Sequence, residues 1–219
     1  MAEILVINPN SSVAVTRSME SCLGAIRAAS AHAIRCIELA KSPLGIETDE
    51  HVAMVVPNLI EAATAAQADA LVIACFSDPG IEQVRRRVAV PVFGIAESAY
   101  LTALGLAPRF GIISLGPSSI NRHLRYLQHL KLDGRLAGDR SMDRTVEQIM
   151  SENVLETLVK TGALLRDEDG ADAVILGCAS LGGYRKAVQD RLGIPVVDPV
   201  QAGVALASNA LDSGYGRRR

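Results

Sequence analysis

One stretch of this chain occurs twice, and that repetition limits what the chain can fold into. DALVIACFSDPG, from Asp69 to Gly80, returns as DAVILGCASLGGY, from Asp172 to Tyr184, so that Cys178 stands 103 positions after Cys75. In both copies an aliphatic run of strand length ends in a cysteine, with turn and helix-start residues directly behind it. Other landmarks keep nearly the same offset, Pro195 following Pro91 by 104 and Phe110 following Ile4 by 106. A duplication of this size predicts two similar half-structures.

Between the landmarks, strands and helices alternate. Strands are expected at 3–7, 34–39, 70–74, 90–95, 110–115, 173–177 and 194–197, with a weak aliphatic signal at 132–140 where an eighth would complete the repeat. Helices are expected over 13–29 behind Ser11 or Ser12, over 50–66, and from Asp78 as N-cap with Pro79 at the first helical position through Arg87. Further helices are expected at 97–104, from the loop after 115 to about 130, and at 143–165, 182–192 and 200–211.

Continuous aliphatic strands alternating with helices mean parallel sheets. The expected fold is α/β, with two pseudo-symmetric lobes, each a four-stranded parallel sheet flanked by helices, and an active site in the cleft between them. A (β/α)8 barrel has the same element count, but it would not require both cysteine loops to be punctuated alike. The first lobe is expected over 1–96, with the C-terminal helix 199–213 a candidate for exchange onto it, and the second over 97–198. Residues 214–219, ending in Arg217, Arg218 and Arg219, read as a flexible basic tail.

Composition narrows the function. The chain is 49% hydrophobic but only 3% aromatic, so Ala, Val, Ile and Leu must fill the core. A net charge of −2 gives no global attraction to nucleic acid or to an anionic membrane. Residues 1–10 lack a basic segment and carry an apolar run too short for a signal peptide or a membrane span, so a soluble cytoplasmic protein is expected. Four cysteines without CxxC spacing argue against a disulfide framework or structural zinc, and Cys22 and Cys36 fit core positions. His32, His51, His123 and His129 do not converge in spacing with Asp or Glu, so no metal is expected. The apolar helices point to a homo-oligomer.

In open α/β sheets, ligands sit outside the carboxyl ends of the strands, which is where Cys75 and Cys178 fall. Helix starts nearby favour thiolate over thiol. Two thiols related by duplication and facing one carbon from opposite sides suit stereoinversion at an acidic C–H. One thiolate removes the proton, and the opposing thiol returns one to the other face.

Four segments, taken in order and spacing, give the chain a family likeness: INPNSS (7–12), ACFSDPG (74–80), GIAESA (94–99) and LGCASLGGY (176–184). It resembles the aspartate/glutamate/hydantoin racemase superfamily over essentially its whole length, and within it the hydantoin and allantoin racemase branch. The resemblance implies cofactor-independent racemisation by Cys75 and Cys178. It also implies that Asn10 faces the cleft, and that Phe76, Ser77, Ala179 and Ser180 offer N–H groups and hydroxyls to substrate carbonyls. The substrate implied is a small cyclic ureide, a 5-substituted hydantoin or allantoin. Relatives acting on free amino acids carry an aspartate in the first loop and a histidine two residues after the second cysteine, where this chain has Asn10 and Ser180. Ser114 lies in a loop that departs from the family pattern, since threonines are expected after that strand. A maleate cis-trans isomerase, a decarboxylase and a non-catalytic ureide-binding protein are the competing expectations. Decarboxylases of the superfamily keep only the second cysteine, so Cys75 counts against them.

Overall fold

The computed structural model describes residues 1–215, so of the tail expected at 214–219 the last four residues lie outside the described residues. Among the described residues eight strands form two sheets: β1 (Glu3–Asn8), β2 (Ala33–Glu38), β3 (Ala70–Ile73) and β4 (Val92–Gly94) in one, β5 (Phe110–Ser114), β6 (Leu136–Ser141), β7 (Ala173–Leu176) and β8 (Val196–Val197) in the other. The orders are β2-β1-β3-β4 and β6-β5-β7-β8, every pairing is parallel, and the second sheet repeats the first. The expected two-sheet α/β architecture therefore stands, and the barrel does not.

The helices are α1 (Val13–Cys22), α2 (Gly24–Ala29), α3 (Asp49–Ala65), α4 (Ile81–Arg85), α5 (Ile95–Leu106), α6 (Pro117–Leu130), α7 (Val146–Ser151), α8 (Leu155–Asp167), α9 (Arg185–Leu192) and α10 (Pro199–Asp212). The single helices expected at 13–29 and 143–165 are each two. Leu23 separates α1 from α2. α7 ends at Ser151, and Asn153 starts α8 by accepting the Leu155 N–H (3.1 Å).

Two closing helices cross over. Ala96, Ala99, Tyr100 and Ala103 of α5 follow the first sheet but pack with Phe110, Ile112 and Ile175 of the second. Val200, Val204 and Ala207 of α10 follow the second sheet but pack with Ile4, Val6 and Val72 of the first. Each half thus lends the other a wall of its core, and burying these side chains at about 25 cal/mol per Å² ties the halves together.

The helix expected to start at Asp78 is corrected. Asp78 has φ 42, Gly80 is left-handed at φ 63, and α4 begins only at Ile81. Asp78 caps a different helix: its carboxylate accepts the N–H groups of Ala96 (3.0 Å) and Glu97 (2.8 Å) in the first turn of α5. Gly94 makes room, because a Cβ there would lie 2.1 Å from Asp78 Cγ. The carboxylate that follows Cys75 is therefore fastened to the helix that crosses between the halves.

Asp198 caps α10 by accepting the Gln201 N–H (2.6 Å), while among the described residues its buried Oδ2 has no partner. Burial pushes its carboxyl up from 3.8 to about 6. A carboxyl whose folded pKa is raised adds stability below the unfolded value and loses it as pH climbs through the folded one. Asp198→Asn, which keeps the capping oxygen and drops the charge, should gain on the wild type by about 2 kcal/mol as pH rises from 4 to 7. Urea unfolding of both proteins across that range checks it, and a gap independent of pH would refute the assignment.

Candidate active site

Both cysteines are set by the same backbone device. The Ala74 N–H donates to Ile7 O (2.8 Å) as the last rung before Cys75, and the Gly177 N–H donates to Ile113 O (2.8 Å) as the last before Cys178. Each cysteine carbonyl then accepts an N–H three residues on, from Asp78 (2.9 Å) and from Leu181 (3.3 Å), so the chain turns instead of entering a helix. Position 177 must be glycine, because a Cβ would lie 2.6 Å from Ile113 O. Strand register thus delivers one sulfur from each half to the same place.

That place is a narrow cleft, with about 40 Å³ open to the centres of water-sized molecules. Cys75, Phe76 and Ser77 line it from the first half and Gly177, Cys178 and Ala179 from the second, together with Asn10. Burial pushes the Cys75 thiol up to about 12; Arg122 pulls it down, and the charges of Cys178 and Asp78 push it further up. Burial raises the Cys178 thiol as well, against the Ser180 hydroxyl and the amides of Ser180 and Ala179, which hydrogen-bond the sulfur, with Glu47 adding to the rise. Both groups are therefore thiols near neutrality, each with backbone N–H donors ready to hold a thiolate, from Ser77 for one sulfur and from Ala179 and Ser180 for the other.

The residues expected to touch substrate are placed unequally. Asn10 Oδ1 accepts from Ser12 N–H (2.8 Å) and from Asn8 Nδ2 (2.8 Å), which fixes the amide orientation and leaves its NH2 group for the cleft. Phe76 is buried edge-on against Tyr100 (centroids 5.6 Å) and His123 (5.0 Å). Ser180 stands behind the site: its hydroxyl lies 3.2 Å from Cys178 Sγ, and it is absent from the cleft wall. Ser114 is also withdrawn, its hydroxyl shared between Asp139 and His123 Nδ1.

The model of the Asp/Glu/Hydantoin racemase family matches residues 4–207. The chain belongs to that family. A hydantoin racemase of Paenarthrobacter aurescens is 35% identical over 97% of this chain and 92% of its own length. Allantoin racemase from Klebsiella pneumoniae superposes with a TM-score of 0.95 at 27% identity, over 100% of this chain and 91% of that one. Allantoin racemase from Pseudomonas fluorescens gives 0.92 at 24% identity, over 99% and 93%, a likeness of fold. With hydantoin racemases among its relatives across nearly the whole chain, the protein is an isomerase of the racemase class.

Sequence reasoning missed a second set of residues. Ser119, Arg122 and His123 of α6 line the cleft, at i, i+3 and i+4, so they share one helix face. Arg122 donates to Ser77 Oγ (2.9 Å), Ser119 Oγ (3.1 Å) and Asp49 (3.2 Å), and His123 Nδ1 donates to Asp139 Oδ2 (2.8 Å). The signal was present as polar residues at the positions where a packed helix carries apolar ones. Part of the cleft wall is apolar: Val15, Ile46, Leu115 and Val146. Ile46 lies in the loop after β2, which Glu47 fastens across the cleft by accepting the Val146 N–H (2.8 Å) and the Ser118 hydroxyl (2.9 Å). No helix among the described residues is long and apolar enough to cross a membrane.

Proposed function

We propose that the protein racemises a hydantoin-type cyclic ureide at C5, without a cofactor, by proton transfer between Cys75 and Cys178. One observation carries this reading: two thiols, one from each half of a duplicated fold, line a single cleft. Cys75 as thiolate takes the C5 proton, and the electron pair of that bond moves onto the adjacent carbonyl oxygen. Cys178 then gives its proton to the opposite face of C5. The enzyme finishes with thiol and thiolate exchanged, and the other enantiomer runs the same steps in reverse.

The surroundings suit a neutral ring. The Asn10 NH2 group is free for a ring carbonyl. Val15, Ile46, Leu115 and Val146 suit a hydrocarbon substituent, whereas the ureido group of allantoin would lose hydrogen bonds to water against that wall. A hydantoin with an aliphatic or aromatic substituent is therefore the favoured substrate and allantoin the poorer one. In this reading the lobes are 1–96 with 199–213, and 97–198.

Polarimetry on optically pure isobutylhydantoin, benzylhydantoin and allantoin, followed to equilibrium, tests the proposal. Rotation should decay to zero fastest for a hydrocarbon-bearing hydantoin. No decay with any of the three would overturn the reading, and preference for allantoin would overturn the assignment of the wall. The pH dependence has a definite sign. Burial holds both thiols protonated, so kcat/KM should climb about tenfold per pH unit from 7 to 9 as thiolate appears. A flat profile would contradict a thiolate base.

A further inference from the structure

The buried face of α6 presents a charge where a core-facing helix presents aliphatics, and each arm of that charge has a directed partner. Arg122 is 8% exposed. Its guanidinium can only donate, so in the bonds from Nε to Ser77 Oγ (2.9 Å) and from Nη2 to Ser119 Oγ (3.1 Å) both hydroxyl oxygens are acceptors. Each hydroxyl keeps one proton to donate, and among the described residues neither proton has an acceptor. Both serines line the cleft with the two cysteines. The third arm, Nη1, is held by Asp49 (3.2 Å) at the start of α3, which fixes the plane of the guanidinium.

We infer that Arg122 sets the hydroxyls of Ser77 and Ser119 as a donor pair for the oxygen on which negative charge collects when C5 loses its proton. The inference rests on the racemase reading and adds Ser119 and Arg122 to its chemistry. The C5–H electron pair ends on the carbonyl oxygen, the proton is on sulfur, and the two hydroxyls strengthen their hydrogen bonds without giving up protons. A hydroxyl that accepts from a cation is a better donor, and a donor aimed at developing charge acts on the transition state more than on the bound substrate. Ser77 comes from the first half and Ser119 from the second, so the pair exists only when the halves are closed on each other. Arg122 is a positioning residue in this scheme, because it works through the hydroxyls.

The test is steady-state racemisation of one optically pure hydantoin by wild type, Ser119→Ala, Ser119→Thr and Arg122→Lys. Ser119→Ala should lower kcat about thirtyfold with KM within about threefold, since losing a transition-state donor costs on the order of 10- to 1000-fold. Ser119→Thr, which restores a hydroxyl, should recover kcat to within about threefold. Arg122→Lys should lose at least about tenfold in kcat, because a single ammonium cannot hold both hydroxyls in the guanidinium fork. Unchanged kcat in Ser119→Ala, a loss lying wholly in KM, or a threonine variant as slow as the alanine one would each overturn the inference. If wild type racemises none of isobutylhydantoin, benzylhydantoin and allantoin, the racemase reading falls and this inference falls with it.

Discussion

Replacing Cys75 or Cys178 by serine, one at a time, should lower racemisation about a thousandfold or more while leaving the fold intact. The size follows from chemistry: a positioned acid or base contributes roughly 10²- to 10⁴-fold, and inversion needs one on each face of the carbon. Serine preserves shape and hydrogen-bonding capacity, but a hydroxyl is too weak an acid to supply an alkoxide at working pH. The Ser77 amide that hydrogen-bonds Cys75 Sγ, and the Ala179 and Ser180 amides that hydrogen-bond Cys178 Sγ, can still bond to an oxygen, so stability should move by less than about 1 kcal/mol. Racemisation rates and thermal unfolding measured on the same preparations check both halves of the statement. The double variant should be no worse than either single one, because the two groups act as a unit. A single variant retaining a tenth of wild-type activity would remove that cysteine from the mechanism.

Asp78→Ala should be the most damaging substitution for stability. The carboxylate is buried, accepts the Ala96 and Glu97 N–H groups, and takes the Tyr126 hydroxyl at 3.2 Å. Truncation strands two amides at the start of α5, each costing about 1–3 kcal/mol when buried. Alanine also tolerates the left-handed backbone at φ 42 poorly, by about 1 kcal/mol. The sum is about 4 kcal/mol, a large share of the usual 5–15, and Tm should fall by about 10 °C. Asp78→Asn keeps a capping oxygen and tolerates the backbone, so it should lose less than half as much. Burial raises the Asp78 carboxyl to about 7, so the wild type gives up part of its stability as pH rises from 4 to 7, and the deficit of the asparagine variant should shrink over that window. Calorimetry at pH 5 and pH 7.5 measures it. Equal deficits at both would contradict the shift, and an alanine variant as stable as wild type would contradict the capping role.

The parts of the fold written in local chemistry were legible. Aliphatic runs placed seven strands within a few residues, and Ser12 caps α1 as expected. β6 was nearly invisible because it is an edge strand whose polar residues have specific partners: Asp139 faces His123, and Arg140 pairs with Asp169 at 2.6 Å. Asp78 was misread for a related reason. An Asp-Pro pair is a local helix-start signal, but its carboxylate serves a helix 18 residues away, and only tertiary structure reveals that. At the site, the cysteines showed through duplication, whereas Arg122 and Ser119 meet Ser77 only after the halves close. The distinction between Ser77 in the cleft wall and Ser180 behind a sulfur is likewise a matter of packing.

The most direct test of two cysteines on opposite faces is exchange of the C5 hydrogen in D2O, followed by NMR for each enantiomer with Cys75→Ser and with Cys178→Ser. Each variant keeps one thiol on one face. The account predicts slow deuterium entry into one enantiomer only, with its configuration retained, and into the opposite enantiomer for the other variant. Exchange of both enantiomers by one variant, or the same enantiomer by both, would contradict it.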